Sequence, residues 1–140
     1  NRVDYGVHDY DDYVLELPDD RWSNFANCKA IKRAIASYPE DLKVVVVGTG
    51  GLSHQVHGER VGFNNTEWDH EFLELLLNDP EKLTELTHKD FIEKGGAESG
   101  EQIMWLVMRG ALGEDIKQSH LNYYLATTTA MTAVLYEIEK

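Results

Sequence analysis

The stretch Leu42-Lys43-Val44-Val45-Val46-Val47-Gly48-Thr49-Gly50-Gly51-Leu52-Ser53-His54-Gln55 decides the reading of the fold. Its first half is an uninterrupted run bounded by Asp41 and by glycines, the pattern of a strand over residues 42–47 buried on both faces. Upstream, Phe25, Cys28, Ile31, Ala34, Ile35 and Tyr38 recur every three or four positions behind Ser23 and Asn24. That spacing predicts an amphipathic helix over 25–38, stopped by Pro39. A helix leading into a buried strand places the chain in the α/β class, with a mixed β-sheet flanked by helices.

The pattern continues downstream. Thr66-Glu67-Trp68-Asp69 opens a helix in capping-box style, with Phe72, Leu73, Leu76 and Leu77 as its apolar face and Asp79-Pro80 as its stop; a shorter helix over 80–85 follows. Thr87-His88-Lys89-Asp90 repeats the cap grammar before Phe91 and Ile92, and Gly95 and Gly96 close that turn. A third long helix over 99–112 is expected to bury Ile103, Met104, Val107 and Met108. Residues 121–138, rich in Tyr, Thr, Leu and Val and free of Pro and Gly, read as one or two strands returning to the sheet. Residues 1–20 are an irregular lead-in with one edge strand near 13–17. There is no internal repeat or linker, so residues 1–140 read as a single domain.

Composition narrows the function. The 140 residues carry 13 Lys and Arg against 25 Asp and Glu, a net charge of −12 that repels phosphate backbones and anionic membrane surfaces. Nucleic acid and membrane are therefore not the expected partners. No apolar run approaches the roughly 20 residues of a bilayer span, and the single cysteine, Cys28, forms no internal disulfide, which points to a cytoplasmic setting. Asn1 stands where an initiator Met is expected, so the chain reads as a portion of a longer protein.

The glycine-rich turn carries the chemistry. Ligands of α/β proteins sit at the carboxyl ends of strands, and His54, in the turn after the run at 42–47, is suited to pass a proton in either direction near neutral pH. A hydrogen-bonded structural histidine fits the same local grammar. The glycine spacing is neither G-x-G-x-x-G nor a Walker motif, which disfavours a phosphate cradle. His54 and His57, three apart, suggest a metal face only if further ligands join them, and with Glu101 they would make a Zn²⁺ hydrolase; an exposed His57 is the plainer reading. Glu98 and Glu101 open the third long helix, where acids also serve the helix dipole. Thr127, Thr128 and Thr129 fit a strand by propensity and equally offer hydroxyls to an anionic substrate. Arg60 is either a local source of positive potential or an exposed solubilising residue.

Taken together, Ser37-Tyr38-Pro39-Glu40-Asp41-Leu42, the loop from Gly48 to Gln55, Trp68-Asp69 with Phe72, Asn78-Asp79-Pro80-Glu81, and Gly100-Glu101 running into Met104-Trp105-Leu106-Val107-Met108-Arg109-Gly110-Ala111-Leu112 resemble one family in order and spacing. It is the catalytic subunit of class III extradiol ring-cleavage dioxygenases, of the protocatechuate 4,5-dioxygenase and gallate dioxygenase type. The resemblance covers about residues 27–139. It implies Fe(II) held by two histidines and one glutamate, with the glutamate at Glu101 and an acid/base histidine beside the metal at His54. It implies a catecholic aromatic acid and O₂ as reactants, with ring opening beside the diol. His54 would take a proton from a substrate hydroxyl and later return one.

The family's two histidine ligands lie in its upstream half, and no counterpart to either motif stands here. His8, in Gly6-Val7-His8-Asp9-Tyr10, is the sole upstream histidine and its surroundings do not match. The chain is accordingly expected to be the C-terminal portion of the catalytic domain, active with an upstream half or within a homo-oligomer. A non-catalytic fragment or metal-free interaction domain is the alternative. His57 stands where relatives carry Gln and takes no ligand role. Thr127 and Thr128 fall where protocatechuate-cleaving relatives place a Ser-Asn pair near the substrate carboxylate. The Thr-rich version is closer to gallate-cleaving relatives.

Overall fold

The computed structural model describes residues 23–139, so His8 and the expected strand near 13–17 lie outside the described residues. Helix α1 (Ser23–Ser37) is followed by a long irregular segment and then by α2 (Thr66–Asn78), α3 (Pro80–Thr84) and α4 (His88–Gly95). A 3₁₀ turn (Ala97–Gln102) leads into α5 (Ile103–Leu112), and the strands β1 (Ile116–Ala126) and β2 (Thr129–Ile138) complete the order. None of these helices is long and apolar enough to cross a membrane.

Apart from α5, which starts later than expected, the helices lie close to where the sequence places them. The N-cap of α2 is Asn65 rather than Thr66: its side-chain oxygen accepts the Trp68 amide at 3.1 Å. Thr87 and Asp90 form a reciprocal capping box on α4. Asp79-Pro80 ends α2 and starts α3, with proline in the first turn where it lacks no needed donor. Arg109, buried on α5, donates from Nε to the Leu76 carbonyl at 2.8 Å and from the guanidinium to Leu77 and Gly113, satisfying carbonyls at the ends of α2 and α5.

The core is aromatic. Trp68 and Phe72 of α2, Phe91 of α4 and Trp105 of α5 meet at tilted or edge-on angles with centroids 6.0 to 6.4 Å apart. Leu52, Leu76, Leu83, Leu106, Ala130 and Tyr136 close around them. On α5 the buried face is Trp105, Leu106, Met108 and Arg109; Met104, expected inside, is exposed, and Ile103 and Val107 are half-buried. The start expected at Ser99 is 3₁₀; there the Ser99 hydroxyl lies 2.5 Å from Phe91 O and 2.7 Å from Gly96 O and shares its one proton between them, tying the tight turn to the end of α4.

The sheet differs most from expectation. It is a two-stranded antiparallel hairpin, with Leu125 opposite Ala130, Ala126 opposite Thr129, and a bulge between Gln118 and His120. The run at 42–47 is not a strand. Leu42, Val44, Val45 and Val47 are exposed by 48 to 74%, and only Val46 reaches the core. A β-branched run becomes a strand only when a neighbour takes its N–H and C=O groups; among the described residues β1 and β2 pair with each other, and no strand lies beside 42–47. The expected mixed sheet is thus absent from the described residues. The hairpin returns instead to the glycine loop: Leu52 N–H donates to Ala130 O at 3.0 Å, Ala130 N–H to Ser53 O at 3.1 Å, and His54 bridges Thr129.

Candidate active site

The loop from Gly48 to Gln55 lies between the 3₁₀ turn and α5 on one side and the start of β2 on the other. Trp105 Nε1–H donates to Gly50 O at 3.2 Å. Gly50 sits at φ +130°, and a Cβ there would stand 2.7 Å from Glu101 Cβ, so only glycine lets the loop approach this closely. The consequence is a direct bond: Gly51 N–H donates to Glu101 Oε2 at 3.0 Å. Among the described residues Oε1 of the same carboxylate makes no hydrogen bond.

His54 is held three ways. Its N–H donates to Gly95 O at 2.8 Å, its backbone bridges Thr129, and its ring Nδ1 lies 2.8 Å from Leu52 O. A carbonyl only accepts, so this contact assigns the proton of the neutral ring to Nδ1 and leaves Nε2 with a lone pair. The residue is only 7% exposed. A fixed ring with a free Nε2 is the arrangement a proton acceptor needs.

Residues that sequence reasoning passed over hold this loop. Asp69, fully buried on α2, accepts from Ser53 N–H at 2.7 Å, Ser53 Oγ–H at 2.7 Å and Tyr123 OH at 2.9 Å. Burial pushes the Tyr123 phenol above its ordinary value, and Asp69 adds to the shift. Ser53 Oγ also accepts the Asn65 amide at 2.8 Å, and Asn64 Nδ2 donates to Ser53 O at 2.9 Å and Thr128 O at 3.2 Å. Asp69 reads as one of the acids of a helix first turn. Its signal was its place in the apolar series with Phe72, Leu73 and Leu76, which puts a carboxylate on the buried face.

The other expected residues are scattered around this centre. Thr127 and Thr128 form the exposed two-residue turn of the hairpin rather than lying in a strand, and Thr127 takes a left-handed φ of 35°. His57 is exposed. Glu98 Oε2 accepts Val56 N–H at 3.3 Å and so braces the outgoing loop. Arg60 is exposed, stacks 3.9 Å from the Phe63 ring centroid and donates to Glu93 O at 3.4 Å, which makes it a tie to α4. No group of three or more His, Cys, Asp or Glu among the described residues is placed to hold a metal ion, so His54, His57 and Glu101 do not form the set a Zn²⁺ hydrolase would need.

Two comparisons bear on this geometry. Residues 25–136 match the family model described as the catalytic LigB subunit of aromatic ring-opening dioxygenase. The chain is also 55% identical over 109 residues to gallate dioxygenase of Pseudomonas putida, an alignment covering 78% of this chain and 32% of that protein. The chain thus spans about a third of the length of the curated relative it matches.

Proposed function

Because the chain belongs to the LigB family of aromatic ring-opening dioxygenase catalytic subunits, we propose that the intact protein opens the ring of a catecholic aromatic acid beside its diol, using O₂ and Fe(II). Gallate is the favoured acid and protocatechuate the alternative. The observation that carries the reading is the shared loop: Gly51 N–H holds Glu101 while Leu52 O, one residue on, orients the His54 ring. A proton-transfer group and a carboxylate with a free oxygen are thereby fixed by consecutive residues.

In this reading His54 Nε2 accepts a proton from a substrate hydroxyl and returns one as the ring opens. Glu101, whose Oε2 accepts from Gly51 N–H, would be the carboxylate that holds the metal. One carboxylate does not make an iron site, and the described residues do not supply the rest, so the remaining ligands are assigned to polypeptide outside them, upstream or on an associated copy. Thr127 and Thr128 stand beside the loop, through the His54 bridge to Thr129 and the Asn64 bond to Thr128, and are proposed to meet the substrate carboxylate.

The test is oxygen uptake by the intact protein after anaerobic loading with Fe(II), with gallate and protocatechuate compared. Uptake with a ring-opened product, abolished in Glu101→Ala together with bound iron and lowered to a small residual rate in His54→Gln with iron retained, is the expected result. An iron-loaded protein that consumes no oxygen with either acid overturns the proposal, and full iron occupancy in Glu101→Ala removes the ligand role.

A further inference from the structure

We propose that Asp69 is a positioning residue for His54, acting through the peptide group between Leu52 and Ser53. The two halves of that peptide do different things. Its N–H, on Ser53, donates to Asp69 Oδ1 at 2.7 Å; its C=O, on Leu52, lies 2.8 Å from His54 Nδ1. A trans peptide is planar, with N–H and C=O pointing in opposite directions, so one rigid unit links carboxylate to imidazole. The carboxylate fixes the plane of the peptide and therefore the direction of the Leu52 lone pairs to which the ring is tied.

The link is electronic as well as geometric. A carboxylate accepting the N–H polarises the amide and makes its oxygen a stronger acceptor, and bonds in such a chain reinforce one another where water is excluded. Asp69, Ser53 and Leu52 are all fully buried, and His54 nearly so. A stronger Leu52 acceptor favours the Nδ1–H tautomer and keeps the lone pair on Nε2. The remaining contacts keep the carboxylate aimed: Ser53 Oγ–H and Tyr123 OH both donate to Oδ2, leaving Oδ1 to the amide. Asp69 thus orients the histidine across an intervening peptide and touches neither the ring nor the substrate.

The inference rests on His54 being the acid/base group, and its test separates the two. Asp69→Asn is nearly isosteric: its amide oxygen still accepts from Ser53 N–H, and its NH₂ donates to hydroxyls that also accept, so the packing survives without the charge. In the Fe(II)-loaded intact protein it is expected to lower kcat about tenfold with KM for gallate little changed. In a His54→Gln background the same substitution is expected to have no further effect. An equal loss in both backgrounds marks a general structural role and overturns the proposal, as does no loss in either.

Retention of kcat by His54→Gln overturns the acid/base reading and this inference with it. If Asp69→Asn does not fold, Tyr123→Phe, which frees one side of the carboxylate, is put through the same cycle, with a smaller loss again confined to the His54 background. A second readout needs no turnover. In the metal-free protein the long-range ¹⁵N–¹H spectrum of His54 should show the Nδ1–H tautomer and become a tautomer mixture in Asp69→Asn; an unchanged pattern overturns the proposal.

Discussion

Gly96→Ala should damage stability and turnover together, because Gly96 lies against the backbone of the proposed acid/base residue. The glycine caps α4 at φ +103° and ψ 169°, a conformation essentially reserved for glycine, and forcing alanine into it costs about 1–3 kcal/mol. The new Cβ would overlap His54 O and lie 2.8 Å from His54 C, where ordinary contact begins at 3.4 Å, and clearing the oxygen, the nearer of the two, parts the segments by roughly 1 Å. That movement breaks the 2.8 Å bond from His54 N–H to Gly95 O, worth about 1 kcal/mol. The sum is about 2–4 kcal/mol. Urea unfolding of the intact protein should show it as a lower midpoint at unchanged slope. In the same variant kcat should fall roughly 10²-fold, the scale of an ångström-sized misplacement of a reacting group. A stability within about 0.5 kcal/mol of the parent, with kcat intact, would refute the claim that this contact seats His54.

Three further outcomes follow from particular residues. Burial pushes the Tyr136 phenol from 10 up to about 12, with Arg109 pulling slightly the other way, so its contribution to stability is complete below pH 10 and disappears as pH rises to about 12. Tyr136→Phe should therefore flatten the loss of stability between those values, and at pH 7 it should be neutral or stabilising by about 1 kcal/mol, since the hydroxyl has no partner among the described residues. Arg109→Met keeps the stem but leaves the Leu76 and Gly113 carbonyls without their donor; a loss of about 3 kcal/mol in urea unfolding is expected, and a neutral result would show that removing a buried charge offsets them. Thr127→Gly relieves a β-branched residue at φ 35° and should stabilise by about 0.5–1 kcal/mol after the entropy cost of glycine. A raised KM for gallate in the same variant would support a substrate role for Thr127, whereas an unchanged KM would leave it a turn residue.

Helices and caps were legible in the sequence because their determinants are local. Thr87 and Asp90, Asp79-Pro80 and the spacing of Phe72, Leu73 and Leu76 act within a turn or two of themselves, and the structure uses each as the pattern predicts. The sheet was not legible in the same way. A strand needs a partner remote in sequence, and the run at 42–47 has the propensity without a described neighbour, while the hairpin finds its partner through loop closure at Thr127 and Thr128. His54 and Glu101 were picked out by residue type and by resemblance, yet the bond from Gly51 to Glu101 that ties the carboxylate to the histidine's loop joins positions 50 residues apart and could not be counted off the chain.

In the sequence Asp69 reads as a helix-start acid and not as a site residue, and the reason lies in how this site is built. His54 and Glu101 are both oriented by backbone groups, Leu52 C=O and Gly51 N–H, and no substitution removes a backbone carbonyl. The side chains that can change the site are therefore those that fix the path of the loop: Gly50 by allowing approach to Glu101, Trp105 by holding Gly50 O, Gly96 by meeting His54, and Asp69 by gripping Ser53 N–H. None of these resembles a reacting group. A search for chemistry selects histidines and exposed acids, whereas a site whose polar groups are aimed by main-chain atoms hides its sensitivity in glycines, an indole and a buried carboxylate. Substitutions at these supporting positions should consequently lower kcat without touching a reacting group, while exposed His57 and Arg60 should tolerate replacement, although both lie closer to His54 in sequence than Asp69 does.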